Sequence, residues 1–165
     1  MMPEEILVRF KLNGRDVEVL TRPNVPLLDL LRRELKIRSV RRGCETGECG
    51  MCTVLVDGKP VRSCLMLAPQ VEGRSVVTVE GLAEEGTLHP IQEAFIEAGA
   101  VQCGFCTPAM VLTAKALLDH DPNPDEARIK EALVGVLCRC TGYVKIVRAI
   151  ELAAKKIMGV RGGSR

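Results

Sequence analysis

Ile6, Val8, Phe10 and Leu12 occupy every second position near the start of the chain, with the charged Arg9 and Lys11 between the later ones. A period of two predicts a strand with one buried face. Asn13-Gly14 follows as a hairpin turn, and Val17 and Val19 resume the alternation. After Pro26 the period lengthens: Leu27, Leu28, Leu30, Leu31 and Leu35 recur at helical spacing, predicting a short helix across a small sheet with the leucine stripe in its core. Thr53 to Val56 and Val61 flank Asp57-Gly58 as a second hairpin, and Ser75 to Val79 predicts one more strand. Strands, one helix, a cysteine-rich loop and further strands predict a small α+β unit over residues 1–80.

The pattern changes near Gly81. Thr87 followed by Pro90 predicts a helix through Ala98, and Thr107-Pro108 pairs a capping hydroxyl with proline at a first helical position. Asn123-Pro124 repeats that device ahead of Asp125 and Glu126, two acids suited to a helix N-terminus. Ile129, Leu133 and Val136-Leu137 then form one face. Val144, Val147, Ala149-Ile150 and Ala153-Ala154 mark a last helix, expected to fray into the tail GVRGGSR. Four short helices predict a small bundle over residues 81–165.

Composition narrows the class of function. With 47% hydrophobic and 27% charged residues the 165-residue chain reads as globular rather than disordered. A net charge of +2, three Phe, one Tyr and no Trp supply neither the basic footprint nor the stacking platform of a nucleic-acid binder. Glu4, Glu5, Arg9, Lys11 and Arg15 interrupt the first thirty residues, leaving no signal-peptide apolar region, and no apolar run approaches membrane-spanning length. The expected location is the cytoplasm. Thiols stay reduced there, so eight cysteines argue for metal rather than disulfides.

The cysteines fall into two quartets. Cys44, Cys49, Cys52 and Cys64 have four residues in the first gap, two in the second and a distant fourth member, the spacing of plant-type 2Fe-2S ferredoxins. Gly43, Gly47 and Gly50 in GCETGECGMC let a loop wrap a metal–sulfur core and turn its amides toward the sulfurs. The second quartet is Cys103, Cys106, Cys138 and Cys140, in QCGFC and CRCTGY. Cys103 and Cys106 precede a helix, and Cys138 and Cys140 lie between two helices, where residues two apart can face one side of an extended turn. This spacing alone fits a tetrahedral zinc site or a second iron–sulfur cluster.

GCETGECGMCTVLVDGKPVRSC, VEGL, LHPIQEAF, QCGFCTPAM and LCRCTGY together resemble the small iron–sulfur subunit of the molybdenum hydroxylases. That family includes xanthine dehydrogenase, aldehyde oxidoreductase, aerobic carbon monoxide dehydrogenase and 4-hydroxybenzoyl-CoA reductase. The resemblance runs from about Ile6 to Ile157. It implies a ferredoxin-like β-grasp domain followed by a four-helix bundle, each holding one 2Fe-2S cluster. It also implies a large molybdopterin-binding subunit and a medium FAD-binding subunit as partners, in a heterotrimer or a dimer of heterotrimers. Electrons would pass from molybdopterin to the second quartet, then to the first, and on to FAD or an external acceptor. The family's pterin contacts map onto Gln102 and Cys140. Met51, Ala109 and Val136 depart from the commoner Ala, Gly and Asn of the family pattern, and none of these removes a ligand.

Other residues carry blander expectations. His89, beside Pro90, reads as a surface or capping residue rather than a ligand. Arg38, Arg41 and Arg42 read as a solvated basic face. No nucleophile–base pair, GxGxxG element or histidine cluster offers a catalytic site of the chain's own, so the expected role is that of the iron–sulfur subunit of an oxidoreductase. The rival readings are a structural module with a zinc-held helical half and a free-standing two-cluster carrier.

Overall fold

The computed structural model describes residues 4–162. Strands β1 (Ile6–Leu12) and β2 (Arg15–Thr21) form the first hairpin, in register from Ile6 opposite Thr21 to Leu12 opposite Arg15. Asn13 and Gly14 turn it with φ of 52° and 79°, the doubly positive geometry that matches strand twist. Val8, Phe10 and Leu12 point inward, as the alternation predicts. β3 (Thr53–Val56) and β4 (Lys59–Arg62) form the second hairpin around Asp57-Gly58. β5 (Ser75–Val77) inserts parallel to β1 and antiparallel to β3, giving the order β2-β1-β5-β3-β4.

The leucine stripe forms α1 (Leu27–Asp29), which continues directly into a wider turn over Leu30–Glu34. There the Leu35 amide reaches back five residues to the Leu30 carbonyl at 3.1 Å. Leu27, Leu28, Leu30 and Leu31 are all buried against Val8, Phe10, Val54 and Val76. Full burial of such side chains contributes about 1.5–3 kcal/mol each. The last strand stops at Val77, two residues short of expectation, because Val79–Leu82 winds into a single tight turn. Asn13 braces that exit: its side chain donates to Thr78 Oγ1 at 3.0 Å and accepts from the Thr78 amide at 2.8 Å.

Helices α2 (Pro90–Glu97), α3 (Thr107–His120), α4 (Glu126–Leu133) and α5 (Val144–Gly162) make the bundle. Ile91, Phe95, Met110, Leu112, Ile129, Ile146 and Ile150 fill its core. Met51 and Leu55 reach into it from the first half, so the two cores meet rather than merely adjoin.

Several local readings differ from expectation. Thr107 is the first helical residue and not the cap; Cys106 holds the N-cap position without a side-chain cap bond. Asp125, not Asn123, caps α4 by accepting from the Arg128 amide at 2.8 Å. α4 ends at Leu133, which leaves Val136 buried and Leu137 exposed. α5 is the long helix of the bundle and runs through Gly162 rather than fraying at Gly159; the final three residues of the expected tail lie outside the described residues. Among the described residues no helix is long and apolar enough to cross a membrane.

Candidate metal centres

The loop from Gly43 to Cys52 folds because glycine stands where nothing larger fits. A Cβ on Gly43 would lie 2.6 Å from Cys49 Sγ. Gly47 and Gly50 have φ of 85° and 72°, the left-handed region that disfavours other residues. The amides of Cys49 and Thr46 point at Cys44 Sγ and the Cys44 amide at Cys49 Sγ, each at 3.4 Å. Inward amides of this kind are what a negatively charged sulfur core requires. The Thr46 side chain, with the Cys49 amide, brings the Cys44 thiol down to about 6.

Cys52, at the entry to β3, and Cys64, just past β4, form the other half of this site. Ser63 fixes their approach by donating from both its amide and its hydroxyl to the Cys52 carbonyl, at 3.3 and 2.7 Å. Burial, with Cys52 alongside, pushes the Cys64 thiol up to about 11.

The second quartet also forms two pairs. Cys103 and Cys140 bring their sulfurs to 3.6 Å at the surface. Cys106, at the start of α3, pairs with Cys138, and burial followed by that neighbour pushes the Cys106 thiol up to about 12. Cys138 and Cys140 therefore do not act as a pair from one side of a turn; each meets a partner from the loop before α3. Thr141 Oγ1 lies 3.1 Å from Cys138 Sγ and accepts from the Tyr143 amide at 3.2 Å. Tyr143 Oη accepts from the Cys138 amide at 2.9 Å and donates to the Val136 carbonyl at 3.2 Å. All four thiols, with Cys49 and Leu137, line one apolar hollow of about 200 Å³.

Both quartets have the chemistry of a two-iron group. Cys64 and Cys106, whose thiols burial and a neighbouring cysteine push up, would ionise beside the other thiols of their quartets only around a cationic centre. Four thiols in two pairs suit a centre with two metals, whereas one tetrahedral zinc calls for all four around a point.

The quartets are adjoining sites. The Leu137 amide donates to the Cys49 carbonyl at 3.0 Å. Arg41 sits over the Phe105 ring at 5.9 Å, and Arg42 pairs with Asp29 and Glu45. Two members of the expected basic face are thus engaged within the fold, and Arg38 remains exposed. Gln102 is exposed beside Cys103. His89 caps α2, its Nδ1 accepting from the Ile91 amide at 3.2 Å. Sequence reasoning missed Arg62, Thr141 and Tyr143 around these loops; the hydroxyls in CRCTGY, directly after two cysteines, were the available signal for the last two.

A five-stranded sheet and a helical bundle that present two adjoining thiol quartets define an iron–sulfur electron carrier. Residues 10–89 match the 2Fe-2S iron-sulfur cluster binding domain and residues 78–151 the [2Fe-2S] binding domain. The chain is 50% identical over 152 residues to the nicotinate dehydrogenase small FeS subunit of Eubacterium barkeri, covering 92% of this chain and 97% of that one. It superimposes with a TM-score of 0.90 on the crystal structure of quinoline 2-oxidoreductase from Pseudomonas putida 86, at 40% identity and 98% and 99% coverage. The aldehyde oxidoreductase of Desulfovibrio desulfuricans also gives 0.90, at 42% identity; there 93% of this chain matches 17% of a longer one. The chain belongs to the iron–sulfur small subunits of the molybdenum hydroxylase family. It is an electron-transfer subunit with two 2Fe-2S clusters.

Proposed function

We propose that Cys44, Cys49, Cys52 and Cys64 hold one 2Fe-2S cluster and Cys103, Cys106, Cys138 and Cys140 the other. When bound, the clusters supply one-electron carriers in series between molybdopterin on a large subunit and FAD on a medium subunit or an external acceptor. The observation that carries this reading is the pairing of thiols at two sites joined by the Leu137–Cys49 hydrogen bond. The chain's own residues position ligands and direct amides at sulfur; substrate chemistry belongs to the large subunit.

The order of the two sites is supported by exposure. Cys103 and Cys140 are at the surface with exposed Phe105 and Leu137 beside them, an apolar rim suited to burial against a partner. Gln102 and Cys140 are the residues we assign to the pterin contact. The expected assembly is a heterotrimer or a dimer of heterotrimers in the cytoplasm. The two cores support a division into residues 1–80 and 81–165, with Met51 and Leu55 crossing it.

Iron and acid-labile sulfide analysis of anaerobically purified protein, with electron paramagnetic resonance after dithionite reduction, tests the assignment. Two distinct signals are expected, and Cys106→Ser should remove one while sparing the other. One signal with zinc in the second half would overturn it. For the pterin contact, Gln102→Ala should slow reduction of the clusters by substrate with iron content intact; unchanged kinetics would remove Gln102 from the path.

A further inference from the structure

Arg62 ends β4, two residues before Cys64, and its half-buried guanidinium reaches both ligand loops. Nη1 donates to Thr53 Oγ1 at 2.8 Å, and that hydroxyl donates to the Gly50 carbonyl at 2.6 Å. Nη2 donates to the Gly135 carbonyl at 2.5 Å. Gly50 lies between Cys49 and Cys52, and Gly135 lies three residues before Cys138. One side chain therefore fastens the loop of the first quartet to the turn that delivers Cys138.

The backbone shows the same junction independently. A Cβ on Gly50 would run into the Gly135 carbonyl and lie 3.0 Å from Val136 Cα, and a Cβ on Gly135 would run into the Arg62 guanidinium. The two loops thus meet main chain to main chain, with glycine on both sides and Arg62 across the seam. None of the ion pairs among the described residues engages Arg62. Its planar fork is spent on a hydroxyl and a carbonyl, a geometry that lysine cannot reproduce. A cation kept here without a carboxylate suits a position between two thiolate-rich centres.

We propose that Arg62 is a positioning residue that fixes the separation and orientation of the two iron–sulfur sites, and so sets how readily an electron crosses between them. This rests on the two-cluster reading, and iron analysis of the unmodified protein separates failure of that reading from failure of this one.

The test is Arg62→Met in the assembled enzyme, loaded with iron and fully reduced. The magnetic interaction between two reduced clusters depends on their distance and orientation, so its splitting in low-temperature paramagnetic resonance reads the geometry directly. Loss or change of the splitting, with slower transfer between the clusters after rapid photoreduction, is the expected result. A lower melting temperature with unchanged splitting and rate would overturn the proposal, because it would leave Arg62 a stability residue only. Thr53→Val removes one leg of the clamp at nearly constant volume and gives a second reading should the Met variant fail to load iron. The same change, smaller, is expected there, and a wild-type splitting and rate in that variant would equally overturn the proposal.

Discussion

The amide of Leu137 donates to the carbonyl of Cys49 at 3.0 Å. Cys49 belongs to the first quartet and Leu137 is bonded directly to Cys138 of the second. A single hydrogen bond therefore joins residues that border both sulfur sites, along main chain that cannot rotate away as a side chain could. The fold is arranged to allow it. Leaving α4 at Leu133 frees the turn through Gly135, and Gly50 with φ of 72° clears the space that this turn occupies.

Gly50→Ala should break this junction. The left-handed backbone costs a Cβ-bearing residue about 1–2 kcal/mol, and the collision with Gly135 adds overpacking of about 1–3 kcal/mol. Gly58 has φ of 77°, and a Cβ placed there would meet nothing within 4 Å, so Gly58→Ala carries the backbone cost alone. Thermal melts of the two variants should differ by the collision, and Gly50→Ala should also lose iron from one or both sites. Equal melting temperatures would show that the loops yield freely.

Thr141→Val should lower the reduction potential of the second site. The Tyr143 amide already donates to Thr141 Oγ1, which leaves the hydroxyl proton for Cys138 Sγ at 3.1 Å. A hydrogen bond to a charged group is worth about 1.5–3 kcal/mol in total, and it strengthens as reduction adds negative charge. The expected fall is up to about 59 mV, a tenfold change in a one-electron equilibrium. A redox titration followed by paramagnetic resonance reads it, and the first site serves as the internal control.

The grouping of the eight cysteines into two quartets and both hairpins were readable in the sequence because cysteine spacing and Asn-Gly or Asp-Gly turns are local signals. The leucine stripe was readable as a buried helical segment, but not its wide turn from Leu30 to Leu35, which follows from packing four buried leucines under a small sheet. The caps at Asp125 and Cys106 were displaced by one or two residues, since the proline that marks a helix start does not say which neighbour supplies the cap. The partners of Arg62 lie outside its own strand, and Arg41 and Tyr143 sit in connecting segments that no periodicity describes. No periodicity carries contacts such as Arg62 to Gly135, which span the two cores.

Tyr143→Phe should unsettle the second site more than the first. Tyr143 Oη satisfies the Cys138 amide and the Val136 carbonyl at once, and stranding partly buried polar groups costs about 1–3 kcal/mol. Slower assembly and faster loss of the second signal under a chelator are expected, with the first signal unchanged. Equal loss of both signals would contradict a local role.

Stability of the helical half should fall in acid through His89. Its Nδ1 accepts from the Ile91 amide, while Gln92 Oε1 accepts from the His89 amide at 2.9 Å, so the cap needs a neutral imidazole. Burial first, then Lys115, lowers its pKa from 6.5, with Asp119 and Glu84 opposing. The unfolded chain therefore binds the proton more readily than the folded one, and stability rises with pH through this range. The contribution is complete above the unfolded value of 6.5 and is lost as pH falls through the lower folded value. His89→Asn keeps a good cap without the titration, and should flatten the dependence of melting temperature on pH between about 7.5 and 5.5. His89→Ala should flatten it too, while costing about 1 kcal/mol at neutral pH. Melts of the iron-loaded protein across that range decide the matter: an undiminished slope in His89→Asn would place the acid sensitivity elsewhere.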